Sequence, residues 1–292
     1  MPLAPELFRA LGALCEPPDP AHARIAAALG LPEPADAESH TEVFVFQLVP
    51  YASVYLGPDG MLGGEAGDRV AGFWRALRLT PPAESDHLAA LLGLYASLAE
   101  REREEPEPAR RLMWHHARRA LLREHLASWV PAYSRAVARL GPEFHAGWAR
   151  LLAEAVAAEA RELAVPGDSA HLRNVPGLPD PGTDGFVRAL LAPARSGLII
   201  TRADLARCAQ ATGLGLRVGE RAFVLRSLVD QDPAATFDWL VAEAAGWQAY
   251  HATAGAGPAA TSRHWLARAA ATRHVLARAQ LAAPEVGHAT GH

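Results

Sequence analysis

Apolar side chains recur along this chain at helical spacing. Val70, Phe73, Trp74 and Leu77 fall at i, i+3, i+4 and i+7 after Asp68, which reads as a helix cap. Leu88, Leu91, Leu92 and Tyr95 repeat the stripe. A charged break at Glu100–Pro108 precedes a long helical stretch from about Ala109 to Arg139, which Pro131 should kink or divide. Beyond Pro142, residues Phe144, Trp148, Leu151, Leu152 and Val156 mark another helix that ends before Pro166. Thr201 with Asp204 has the form of a capping box for a helix ended by Gly213, and Asp232 before Pro233 starts another with Phe237, Leu240, Val241, Ala244 and Trp247 facing inward. A break at Gly255–Pro258 leaves a last helix capped by Ser262. Leu198–Ile200 and Leu216–Val218 are short enough to form only very short strands.

The breaker density divides the chain. Between Val165 and Gly185 stand four prolines and four glycines, too many for regular structure. The pattern therefore predicts an all-α chain with a helical domain at 1–165, a Pro/Gly-rich linker at 166–185, a helical C-terminal extension at 186–283 and a flexible tail at 284–292.

Composition narrows the function classes. The chain is 50% hydrophobic and 21% charged with a formal net charge of -4, so no general attraction to nucleic acid or anionic lipid is expected. All 28 basic residues are Arg. Cys15 and Cys208 lie far apart without CxxC spacing, which predicts neither a zinc knuckle nor a disulfide. Met1–Arg9 lacks a basic region followed by an apolar run, and no stretch is long enough to span a membrane, so a cytoplasmic location is expected.

Catalytic constellations are missing from the pattern: there is no GxSxG, P-loop or HExxH. Gly60–Gly67 is glycine-rich, but with no preceding strand and no Lys in the chain it reads as a turn. Of 13 histidines the tightest pair is His115–His116, whose side chains project about 100° apart on a helix and cannot readily share a metal ion. His125 lies roughly 13 Å further along that axis. No cofactor and no enzymatic activity are expected; a borrowed metal at His115 and His116 is the least favoured reading. The segment Thr201–Val229 has helix-turn-helix order, and its five Arg (202, 207, 217, 221, 226) less Asp204 and Glu220 give +3. It sustains an alternative reading as a DNA-binding or regulatory protein, although Phe223, Val224 and Leu228 suit a plain helical hairpin better.

Two features are not explained by composition. The stretch Pro50-Tyr51-Ala52-Ser53-Val54-Tyr55-Leu56-Gly57-Pro58 sets two tyrosines and a serine between breakers, suited either to a peptide groove or to plugging the core. Glu84-Ser85-Asp86-His87-Leu88 opens a helix, where carboxylates answer free N–H groups and a histidine should be neutral.

In this order, the Pro-Tyr-x-Ser-x-Tyr loop, an aromatic-rich helix and the Glu-x-Asp-His-Leu start resemble the TorD/DmsD/NarJ family of redox-enzyme maturation chaperones. Glu42–Phe46 sits where such proteins carry an aromatic lead-in helix, and His125-Leu126 with Trp129 and Tyr133 is similar to their downstream segment. The likeness covers roughly residues 5–165. It implies an all-helical, non-catalytic protein of the cytoplasm that binds the twin-arginine signal peptide or another segment of an apo-molybdoenzyme, supporting cofactor insertion before export. It further implies that Tyr51, Ser53 and Tyr55 line a peptide groove, that Glu84, Asp86 and His87 form its polar end, and that His125 and Trp129 belong to the same surface. Glu84 and Asp86 would meet the arginines of a signal peptide. A homodimer is compatible with this picture. Ser85 stands where family members commonly have a proline near the Asp-His pair, and the region from about Gly167 extends past their usual end.

Overall fold

The computed structural model describes residues 3–165, 169–253 and 259–282. Over these the chain is helical and contains no β-strand; its nearest approach to one is an isolated antiparallel bridge between Tyr51 and His87. The N-terminal part consists of α1 (Pro5–Ala13), α2 (His22–Ala28), α3 (Ala37–His40), α4 (Ala52–Leu56), α5 (Gly64–Ala76), α6 (Leu88–Glu104), α7 (Pro108–Leu121), α8 (Val130–Leu140) and α9 (Glu143–Glu162). Two wider π-helical turns, Thr41–Gln47 and Leu122–Leu126, follow α3 and α7. Then come α10 (Ala170–Arg173), α11 (Phe186–Leu190), α12 (Pro193–Ser196), α13 (Arg202–Thr212), α14 (Arg221–Gln231), α15 (Pro233–Thr253) and α16 (Ala259–Ala282).

The apolar stripes become the core. Leu88, Leu91, Leu92 and Tyr95 on α6 are buried, with α1 on one flank and α7 on another. Phe8 of α1 packs its ring 4.6 Å from that of Tyr95. Trp148, Leu152 and Val156 seat α9 against α8. On α15, Phe237, Leu240, Ala244 and Trp247 are buried, and α16 packs along it. Full burial of each such side chain contributes roughly 1.5–3 kcal/mol.

The capping expectations at α13 hold: Asp204 N–H donates to Thr201 Oγ1 at 3.1 Å, Thr201 N–H donates to Asp204 Oδ2 at 2.7 Å, and Gly213 closes the helix at φ +71°. At α15, Asp232 Oδ1 accepts the Ala235 N–H at 2.9 Å.

Other boundaries differ from the sequence pattern. Helix α5 begins at Gly64, so Asp68 lies inside it; the positive φ of Gly63 and Gly64 makes the turn that the aspartate was expected to make. The stretch 109–139 is divided before Pro131, at 127–129. The proline then occupies the first turn of α8, where its missing donor is harmless. Leu198–Ile200 is a buried connection and Leu216–Val218 an exposed one, so neither finds a strand partner. Helix α16 starts at Ala259 rather than at Ser262. The break at Gly255–Pro258, the tail Pro284–His292 and Pro166–Asp168 lie outside the described residues.

Packing continues across the Pro/Gly-rich segment. Leu172 and Val175 are buried there, and side chains from both sides of it join one hydrophobic cluster. Trp265 Nε1 donates to Ser128 O at 2.8 Å, Tyr250 Oη donates to Pro131 O at 2.9 Å, and the Arg135 guanidinium lies over the Tyr250 and Trp247 rings. Gly197, at φ +75°, ends α12 where an added Cβ would stand 2.4 Å from the Ala269 backbone nitrogen. Only glycine fits both that conformation and that approach.

Candidate functional site

The tyrosine loop and the head of α6 form one clasp. Tyr51 is extended, so the backbones on either side of it can pair: Ala52 N–H donates to Asp86 O at 3.0 Å and Leu88 N–H to Pro50 O at 2.8 Å. The Asp86 carboxylate, itself buried, accepts the Ser53 N–H at 3.0 Å, and Ser53 Oγ accepts the Gly63 N–H at 3.0 Å. His87 is the N-cap of α6, its Nδ1 lying 3.3 Å from both the Ala89 N–H and the Glu16 carboxylate. Burial holds the His87 pKa below its ordinary value against the opposing pull of Glu16, Glu84 and Asp86. The half-buried Tyr51 ring meets His87 edge-on at 4.8 Å, and burial with the facing Glu84 carboxylate pushes its hydroxyl up to about 12.

Tyr55 points the other way. Its ring lies parallel to Trp129 at 5.0 Å, with Tyr133 edge-on at 5.2 Å, and all three are buried. Their polar tips close on backbone: Tyr55 Oη donates to Val49 O at 3.0 Å, Tyr133 Oη to Leu48 O at 3.1 Å and Trp129 Nε1 to His125 O at 2.8 Å. His125 is sealed between Phe73 and His171, and burial lowers its pKa to about 3.

The structure thus brings Tyr51, Ser53, Glu84, Asp86 and His87 together as a clasp, and places Tyr55, Trp129 and His125 in the packed interior behind it. It does not gather all eight around one concavity. Of them only Tyr55 reaches an open cleft of about 500 Å³ between the 46–61 segment and the region from Arg188 to Ala222. Phe46 and Met61 stand at this cleft 60% and 71% exposed, and Tyr55 and Val54 form part of its wall. Gly60, at φ +62°, brings the loop so near Ala192 that an added Cβ would lie 3.0 Å from the Ala192 Cα. The family resemblance marked the Glu42–Phe46 stretch and composition the glycine-rich turn, but neither gave a sign that they share a cleft with α11–α14.

Thr201–Val229 folds as α13 and α14, packed on each other with Val224, Leu225 and Leu228 buried. Arg207 pairs with Asp204, and Arg221 Nη1 donates to Ile200 O at 2.7 Å. The His115 and His116 rings are 5.8 Å apart, and His115 Nδ1 is taken up by Glu102 at 2.9 Å. Among the described residues no three His, Cys, Asp or Glu side chains converge as a metal site. Burial raises the pKa of the Cys15 thiol, and it pushes that of Cys208 up to about 11, so neither is primed as a nucleophile. No helix of the described residues is long and apolar enough to cross a membrane.

Comparison with known proteins bears on the same part of the chain. Residues 21–135, which carry the clasp, the Phe46 segment and the Tyr55–Trp129–Tyr133 stack, match the family described as nitrate reductase delta subunit. Two curated proteins named Chaperone protein TorD, from Vibrio vulnificus strains YJ016 and CMCP6, are each 31% identical over 96 residues. Residues 21–135 are thus similar to the nitrate reductase delta subunit family, and a stretch of 96 residues is similar to the TorD chaperones. The likeness to the TorD proteins covers 31% of this chain and 44% of each relative, so the chain spans less than half the length of the TorD proteins it matches. Helix α9 and the region from Arg188 onward, the second wall of the cleft, lie outside the residues 21–135 that match that family. No solved structure matches the chain.

Proposed function

We propose that this protein is a maturation chaperone that binds the signal peptide or another segment of an apo-molybdoenzyme and holds it while the cofactor is inserted. The observation that supports this most is the coincidence of the matched residues 21–135 with the clasp and with one wall of an apolar-rimmed cleft. The protein acts by binding rather than by bond-making, in the cytoplasm, where its client is synthesised. The clasp residues act mainly by holding the tyrosine loop in place. Asp86 already takes the Ser53 N–H inside the fold, so the exposed Glu84, which faces the Tyr51 hydroxyl, is the carboxylate to meet the arginines of a twin-arginine segment.

Reversibility follows from the magnitudes. About four apolar anchors contribute roughly 1.5–3 kcal/mol each. Ordering a flexible peptide takes back about 2–5 kcal/mol. Affinity of about micromolar is expected, tight enough to retain a client and weak enough to release it. Calorimetric titration of the protein with the twin-arginine signal peptide, and separately with the apo-catalytic subunit of a molybdopterin oxidoreductase, checks it. Saturable heat with at least one of the two is expected, and none with either at high micromolar concentration would overturn the reading.

A further inference from the structure

The charge of the cleft is out of keeping with the rest of the molecule. Against a chain of net charge -4, its walls carry four arginines, Arg188, Arg195, Arg202 and Arg221, and two carboxylates, Asp59 and Glu220. Elsewhere arginines find acids: Arg9 pairs with Glu100, Arg118 with Glu102, and Arg139 with Glu243. Among the described residues none of the four cleft arginines has a carboxylate partner. Arg195 donates to Gly177 O through Nη2 at 2.8 Å, and Arg221 Nη1 to Ile200 O, but a guanidinium has five N–H donors and most stay unanswered. Arg188 and Arg202 are exposed and make no hydrogen bond to any described residue. Burial lowers the Arg221 pKa and the Arg202 charge adds to it, against the opposing pull of Tyr55 and Asp204.

Uncompensated guanidiniums in one concavity are the usual means of recognising acidic motifs. A small hydrophilic anion would make no use of Phe46 and Met61, which stand exposed beside them. We propose that the cleft between the 46–61 segment and the 188–222 region takes an acidic, amphipathic peptide segment of the client protein, its carboxylates on the arginines and its apolar side chains on Phe46 and Met61. This rests on the chaperone reading and adds the chemistry of the bound segment. It also gives the C-terminal region a role, because all four arginines come from it.

Fluorescence anisotropy with the full chain tests it. The probe is a fluorescein-labelled helical peptide bearing leucines on one face and glutamates on the other, compared with the same peptide carrying Gln or Arg in place of Glu. The acidic peptide is expected to bind at least about tenfold more tightly than the Gln form, and the Arg form not at all. The double variant Arg188→Glu/Arg202→Glu, at exposed positions without partners, should keep the wild-type melting curve and lose about tenfold or more in affinity for the acidic peptide. Phe46→Ser should weaken binding several-fold. Equal binding of the Glu and Gln peptides would overturn the proposal. So would unchanged affinity in the double variant, or displacement of the acidic peptide by inorganic phosphate or random duplex DNA as readily as by unlabelled peptide. If the apo-enzyme binds while the acidic peptide does not, the cleft assignment falls and the chaperone reading stands.

Discussion

Truncating Trp129 to Ala should cost about 3–5 kcal/mol of stability, the usual range for deleting a fully buried indole. The ring has 0% exposure, lies parallel to Tyr55 at 5.0 Å, and bonds through Nε1 to His125 O. Its loss leaves a cavity behind Tyr55, the tyrosine of the loop that also walls the cleft. Trp129→Phe should retain most of the packing and cost about 1 kcal/mol for the missing hydrogen bond. Urea unfolding of both variants gives the numbers. A cost below about 1 kcal/mol for the alanine variant would mean that Trp129 is a surface side chain rather than part of the core.

Mild acid should unfold the protein. Burial lowers the pKa of His125 to about 3, and those of His145, His251 and His264 to about 4, from an ordinary value of 6.5. The folded chain therefore keeps these rings neutral while the unfolded chain protonates them. Stability present above pH 6.5 is lost as the pH falls from there towards 4. Each such group contributes a slope of about 1.4 kcal/mol per pH unit. Urea midpoints measured from neutral to mildly acidic buffer should fall steeply, with an uptake of about three to four protons on unfolding. His145 is the informative position, because neither ring nitrogen has a partner among the described residues and the rings of Phe44 and Phe144 lie against it. His145→Phe should remove about one proton from that uptake and leave neutral-pH stability equal or higher. Midpoints that stay flat down to about pH 5 would show that these rings are not held neutral by the fold.

What could be read from the sequence was local. The stripes of α6 and α9, the capping box at Thr201–Asp204 and the left-handed Gly213 depend on spacing and on near-neighbour hydrogen bonds, and the structure has them where the pattern puts them. What could not be read depends on which faces meet. Tyr51 and Tyr55 are four residues apart in one motif, yet one ring lies against His87 and the other against Trp129, a division set by the neighbouring helices. Asp86 was expected to face a ligand, and its carboxylate holds the Ser53 N–H instead, a pairing across 33 residues of sequence. The cleft joins Phe46 to Arg202 and Arg221, and no periodicity in either segment encodes that meeting. Leu198–Ile200 shows the same limit: three buried apolar residues suit a strand, but among the described residues no second segment pairs with them to complete one.

Hydrogen–deuterium exchange of the protein with and without the apo-catalytic subunit of a molybdopterin oxidoreductase tests the central claim most directly. Exchange is expected to slow at residues 46–61 and 186–222 when the subunit is added and to recover once its cofactor is supplied. No change in these two segments at saturating subunit would contradict the account.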